Sequence, residues 1–154
     1  MTEPTIIFRI DDLQAAPVRA LVAHHLAGMA DQTPAEHVHA LGIEKLRAPD
    51  ITFWSAWIGD EVVGCGALRR LDGERGEIKS MRVADAWLGH GVGRAILHHI
   101  IAHARGLGLR SLWLETGKPF QAARALYERT GFQYCDAFGS YVAGEFSVFM
   151  TLEL

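Results

Sequence analysis

Three glycines on alternate positions, Gly89, Gly91 and Gly93, stand between a strand-like run ending at Val83 and an amphipathic helix that starts beside them. Glycine weakens a helix and loosens the unfolded chain, so a cluster here must be explained by what it permits. It permits close approach to the first turn of a helix, where unpaired N–H groups and the positive end of the dipole await an acceptor. The spacing therefore predicts an anion held by main-chain donors around Gly91 and Gly93, with Arg94 adding charge. The order is GxGxG. A dinucleotide fingerprint needs GxGxxG and an acidic residue after the next strand, and a mononucleotide loop needs a Gly-Lys-Ser/Thr ending. Neither is present, so the expected ligand is a pyrophosphate of another kind.

The rest of the chain alternates between the two hydrophobic periods. Thr5 to Ile10 reads as a strand, and Pro17 to Met29 as a helix carrying Val18, Leu21, Val22, Leu26 and Met29 on one stripe. Thr33-Pro34-Ala35-Glu36 announces a shorter helix to about Leu41, and Gly42 to Asp50 gives no clear signal. ITFWSAWI and EVVGCGALRRL form a hairpin about Gly59-Asp60, Gly73 to Gly76 is a turn, and Glu77 to Val83 is the next strand. After the glycines come a helix with Val92, Ile96, Leu97 and Ile100, a strand at 110–116, a helix from Pro119 to Thr130, a strand from Phe132 to Cys135 and a closing strand in EFSVFMTLEL. The expected class is α/β: one domain over residues 1–154, with a mixed, mostly antiparallel central sheet flanked by helices.

Composition narrows the partners. At 154 residues there is room for one core, and a formal charge of -3 gives no support to a nucleic-acid or anionic-membrane partner. The run in MTEPTIIFRIDD is too short for a signal peptide, and the chain has no apolar stretch of membrane-spanning length, which makes the cytoplasm the expected location. Cys65 and Cys135 have no metal-like spacing and read as free thiols within strands.

The order of strand GEIKSMRV, loop LGHGVG, helix, strand SLWLET and helix QAARALYERTGF resembles the GCN5-related N-acetyltransferase superfamily, and the tail is similar to those of small bacterial acetyltransferases of that group. The family signature Q/R-x-x-G-x-G/A falls on Leu88 to Gly93, with Leu88 in place of Gln or Arg, while ALYERTGF is intact. The resemblance implies an acyl-CoA N-acyltransferase fold that takes acetyl-CoA as co-substrate and acetylates a primary amine of a small molecule or amino acid. Protein termini and lysines are the alternative acceptors. On this sequence the coenzyme would meet the main chain of Met81, Arg82 and Val83, then Leu88, Gly89, His90, Gly91, Val92, Gly93 and Arg94, and finally Thr116, Phe120, Ala123 and Tyr127. Tyr127 matches the tyrosine that protonates the leaving sulfur. Glu77 matches a glutamate that deprotonates the amine in several members; a surface glutamate after the turn is the competing reading.

The same resemblance implies that residues 28–46, Trp54 and the loop Phe138 to Tyr141 wall the acceptor, with His24, His25, His37 or His39 as candidate lining groups and Glu145 as a candidate partner for its ammonium. No metal is expected, because the eight histidines include no H-E-x-x-H or cysteine-histidine set. Two other roles stay open: a coenzyme-binding module with an idle acceptor side, and a dimeric interaction protein using Trp54, Trp57, Phe138 and Tyr141 as exposed contacts. A homodimer is compatible with either an enzyme or an interaction protein.

Overall fold

The computed structural model describes residues 5–32, 45–139 and 141–154, with 25–32 as backbone only. In chain order the elements are β1 (Ile7–Ile10), α1 (Ala16–Gln32), a 3-10 turn at Lys45–Arg47, β2 (Ile51–Ile58), β3 (Glu61–Arg70), β4 (Arg75–Val83), a 3-10 turn at Asp85–Trp87, α2 (Val92–Gly106), β5 (Ser111–Gly117), α3 (Gln121–Thr130), β6 (Gln133–Cys135) and β7 (Ser147–Glu153). The expected helix over Thr33 to Leu41 lies outside the described residues. Arg75 and Gly76 belong to β4 rather than to the turn before it, because the turn closes ahead of them: the Asp72 carboxylate accepts the amides of Glu74 and Arg75, and the Leu71 amide donates to the Arg75 carbonyl at 2.9 Å.

The seven strands form one sheet in the order β1-β2-β3-β4-β5-β7-β6. Only β4 and β5 run parallel; every other neighbour is antiparallel. The period of two in β2 sorts its side chains, sending Trp54 and Ala56 to one core and Phe53 and Trp57 to the other. On the first face α2 buries Val92, Ile96, Leu97 and Ile100, each contributing about 1.5–3 kcal/mol by leaving water. On the second, α1 buries Val18, Leu21 and Val22 against Phe53, Cys65 and Ala67. The approach of α2 is close: a Cβ on Gly66 would stand 2.8 Å from Ile96 Cγ2.

Two irregularities in β4 create the site. Between Cys65↔Arg82 and Ala67↔Lys79, two steps along β3 face three along β4, and within the extra residue's span Ser80 adopts φ 53°. Such a bulge bends a strand and reverses its side-chain alternation. Glu77 and Lys79 therefore share one face, whereas Met81 reaches the α2 face, its Cγ 3.3 Å from a Cβ placed on Gly66. The second irregularity lies on the other edge, where β4 and β5 pair only from Arg75↔Ser111 to Ile78↔Leu114. Past that point the two strands part, leaving Lys79 to Val83 without a strand partner on that side among the described residues.

Candidate active site

A cavity of about 570 Å³ occupies the cleft where β4 and β5 separate. It runs from the glycine loop and the start of α2, past Met81 and Tyr127, to Glu77, Lys79, Glu115 and Tyr141. Of the residues expected at a coenzyme site, Met81, Arg82, Val83, Leu88, Gly89, Gly91, Val92, Gly93, Arg94, Thr116, Phe120, Ala123 and Tyr127 all line it. His90 does not; its ring lies against Trp87, with centroids 5.5 Å apart.

At the loop end, Gly89 and Gly91 have φ of 79° and 80°, a conformation that side-chain-bearing residues rarely adopt. Gly91 is the N-cap of α2 and accepts the amide of Ala95 on its carbonyl at 3.1 Å, but no side chain caps the helix. The amides of Leu88 and His90 are taken by Asp85 and Trp87 carbonyls. The donors left facing the cavity are those of the first turn, Val92, Gly93 and Arg94, which have no acceptor within the helix. With the Arg94 and Arg129 side chains alongside, this end suits a phosphate group. The Leu88 side chain is 59% exposed. The change from Gln or Arg there thus leaves these backbone donors in place.

Halfway along, α3 carries Tyr127 into the core side of the cleft. Gly131 at φ 109° ends that helix, and Phe132 folds back to donate its amide to the Tyr127 carbonyl at 3.0 Å. Burial pushes the Tyr127 phenol up to about 12, so it stays protonated at neutral pH. Among the described residues its hydroxyl has one weak partner, Met81 Sδ at 3.9 Å, and is open to a better one.

At the far end Glu77 is 1% exposed, which excludes the surface reading. Its Oε2 accepts Lys79 Nζ at 2.9 Å and the Tyr141 hydroxyl at 2.5 Å, while Oε1 has no hydrogen-bond partner among the described residues. Lys79 is itself buried and also donates to Tyr141. Burial, and next the bond to Glu77, raise the Tyr141 phenol and keep it protonated. Sequence reasoning missed Lys79; its position two residues from Glu77 on a strand was the available signal. Ser80, at the bulge, lines the cavity with a buried Oγ that has no partner among the described residues.

Several acceptor-side expectations are corrected. Trp54 lies on the α2 face between His99 and His103, away from the cavity. Phe138 is buried against Trp113 and Phe149 instead of forming the wall. Trp57 is buried as well, so the aromatic set imagined as an exposed dimer surface does not exist: Trp54, Trp57 and Phe138 are core residues. Glu145 is exposed outside the cavity, and His24 is paired with Asp85 at 2.9 Å. The His25 side chain, His37 and His39 lie outside what is described. Among the described residues, no three His, Cys, Asp or Glu side chains are grouped to hold a metal.

Residues 18–132 match the Acetyltransferase (GNAT) family. The chain is 53% identical over 148 residues to the uncharacterized N-acetyltransferase YsnE of Bacillus subtilis (strain 168), covering 95% of this chain and 98% of that one. It is 45% identical over 148 residues to the uncharacterized N-acetyltransferase YedL of Escherichia coli (strain K12), covering 95% and 93%. Among solved structures, a candidate acyl-CoA N-acyltransferase from Klebsiella pneumoniae superposes with a TM-score of 0.79 at 29% identity, over 98% of this chain and 97% of that one.

Proposed function

This chain belongs to the GNAT family of acetyltransferases, and from that premise we propose that it moves the acetyl group of acetyl-CoA directly to the primary amine of a small molecule or amino acid. The carrying observation is the continuity of one cavity, from the uncapped amides of α2, past a buried protonated tyrosine, to a buried carboxylate with one unsatisfied oxygen. The donor thioester supplies an activated acyl carbon and a sulfur leaving group.

The residues of the chain divide the remaining work. First-turn amides of α2, with Arg94 and Arg129, take the pyrophosphate. The edge of β4 left unpaired beyond Ile78 offers main-chain groups at Met81 and Val83 to the amide-bearing pantetheine arm, as an added strand would. Glu77 Oε1 accepts a proton from the incoming ammonium, directly or through a water, so that the neutral nitrogen attacks. The nitrogen–carbon bond forms, the carbon–sulfur bond breaks, Tyr127 gives its phenolic proton to the departing sulfur, and the surplus proton of the new amide nitrogen passes to the Tyr127 phenolate and restores the phenol. Holding both reactants in one cleft supplies much of the rate.

The test is release of coenzyme thiol from acetyl-CoA over a panel of small amines, wild type beside Tyr127→Phe. Amine-dependent release that falls at least a hundredfold in the variant, with the acetylated amine detected by mass, supports the reading. Release that ignores the amine, or a variant as fast as wild type, contradicts it.

A further inference from the structure

A second cavity, an open groove of about 950 Å³, lies between α2 and α3 and meets the first at Gly89, Gly91, Arg94 and Arg129. Three arginines and a histidine line it, Arg94, His98 and Arg105 from α2 and Arg129 from α3, and no Asp or Glu does. That segregation occurs in a chain with 18 acidic and 15 basic residues. Elsewhere Arg69, Arg75, Arg82 and Arg110 each have a carboxylate within 3.8 Å. Among the described residues Arg94, Arg105 and Arg129 have none. Glu128, next to Arg129 in sequence, accepts the Tyr134 hydroxyl instead. Like charges gathered without a counter-charge repel one another, and an anion between them removes the repulsion.

The helical spacing brings these groups together. At 3.6 residues per turn, positions 94, 98 and 105 fall within about 40° of one another around α2, clear of the buried stripe of Ile96, Leu97 and Ile100. His98 stands one turn, about 6 Å, beyond Arg94. A ribose imposes a step of that kind between a 5′-pyrophosphate and a 3′-phosphate. Arg105 lies two turns further, but a long helical side chain leans back over the turn before it, toward His98. The Thr130 hydroxyl is spent on the Leu126 carbonyl at 2.8 Å, so the polar contacts fall to the cationic side chains. Ile101, Leu126 and Leu152 give the groove an apolar surface between them.

We propose that this groove is a second phosphate site, distinct from the first turn of α2, which takes a phosphate monoester on Arg105, His98 and Arg129. A guanidinium fork matches phosphate oxygens two at a time, and a dianion balances the gathered positive charge. Two sources share that chemistry: the ribose 3′-phosphate of the coenzyme, entering where the two cavities meet, and a free phosphate ester. The coenzyme as source rests on the acetyl-transfer reading; the site itself does not.

The test is calorimetric titration of the full chain with CoA, with dephospho-CoA, which lacks only the 3′-phosphate, and with adenosine 3′-phosphate. Wild type is compared with His98→Gln/Arg105→Gln, both exposed positions outside the core. With the coenzyme as source, wild type binds CoA at least tenfold more tightly than dephospho-CoA. The variant shrinks that ratio at least threefold and leaves the affinity for dephospho-CoA unchanged. Equal wild-type affinity for the two coenzymes, with adenosine 3′-phosphate bound by wild type and lost in the variant, supports the site with a free ester as its ligand. Equal coenzyme affinity with no adenosine 3′-phosphate bound, or a ratio that the folded variant keeps, overturns the inference while leaving acetyl transfer standing. Absence of binding by either coenzyme overturns the coenzyme reading, and adenosine 3′-phosphate then decides the groove alone.

Discussion

The Tyr141 hydroxyl donates to the same oxygen of Glu77 that binds Lys79, at 2.5 Å and across 64 residues of sequence. That bond ties the segment before β7 to the middle of β4 and fixes which Glu77 oxygen faces the cavity. Tyr141→Phe removes a hydrogen bond to a charged group, so a loss of about 1.5–3 kcal/mol is expected in urea unfolding. The rate falls with it, because Oε2 then competes with Oε1 for the acceptor.

Lys79→Met should cost more. It leaves the Glu77 carboxylate buried without its cation, a loss of about 3–5 kcal/mol. The double variant Lys79→Met/Glu77→Gln is expected to be more stable than Lys79→Met alone, since the stranded charge is gone. A double-mutant cycle by chemical denaturation reads the coupling, and strict additivity would contradict a direct pair.

Alkaline pH gives a signed prediction. The Tyr127 phenol is raised from its ordinary 10 to about 12 by burial, so the folded state keeps a proton that the unfolded chain gives up first. Its contribution is complete below pH 10 and is lost as pH rises through about 12, amounting to about 2–3 kcal/mol. Tyr127→Phe should flatten the fall in stability over that window. Because the acid stays protonated, kcat should show no alkaline decline assignable to Tyr127 between pH 7 and 10.

Much of this was legible in the sequence because local pattern and tertiary need agree. The ITFWSAWI–EVVGCGALRRL hairpin, the stripe on α2 and the ALYERTGF helix end each follow their hydrophobic period or glycine stop, and they place Tyr127 in the cleft. The acceptor end was less legible. A positive φ at Ser80 leaves no mark on the pattern of GEIKSMRV, so neither the bulge nor the flip of Met81 could be read from it. Lys79 inside a strand looks like a solvated charge until a second charge and a distant tyrosine are brought to it. Trp54 and Trp57, two of the aromatics imagined on the surface, are buried because both faces of β2 are covered, one by α2 and one by α1.

Packing of α2 on β3 sets a further expectation. A methyl on Gly66 would meet Ile96 Cγ2 at 2.8 Å and Ile100 Cδ1 at 3.0 Å, so Gly66→Ala overpacks the first core and should cost about 1–3 kcal/mol. A lower urea midpoint with an unchanged slope is the expected result.

The central claim is that the glycine loop and the start of α2 hold the coenzyme. Calorimetric titration with acetyl-CoA and with desulfo-CoA, on wild type and on Gly91→Trp, tests it most directly. Gly91 has φ 80° and open space before it, so the tryptophan strains the loop and crowds the donors without entering the core. Saturable binding of both ligands to wild type, lost in a variant whose circular dichroism shows it folded, is the predicted result. Absence of binding to wild type at millimolar coenzyme, or equal binding by the folded variant, would contradict the account.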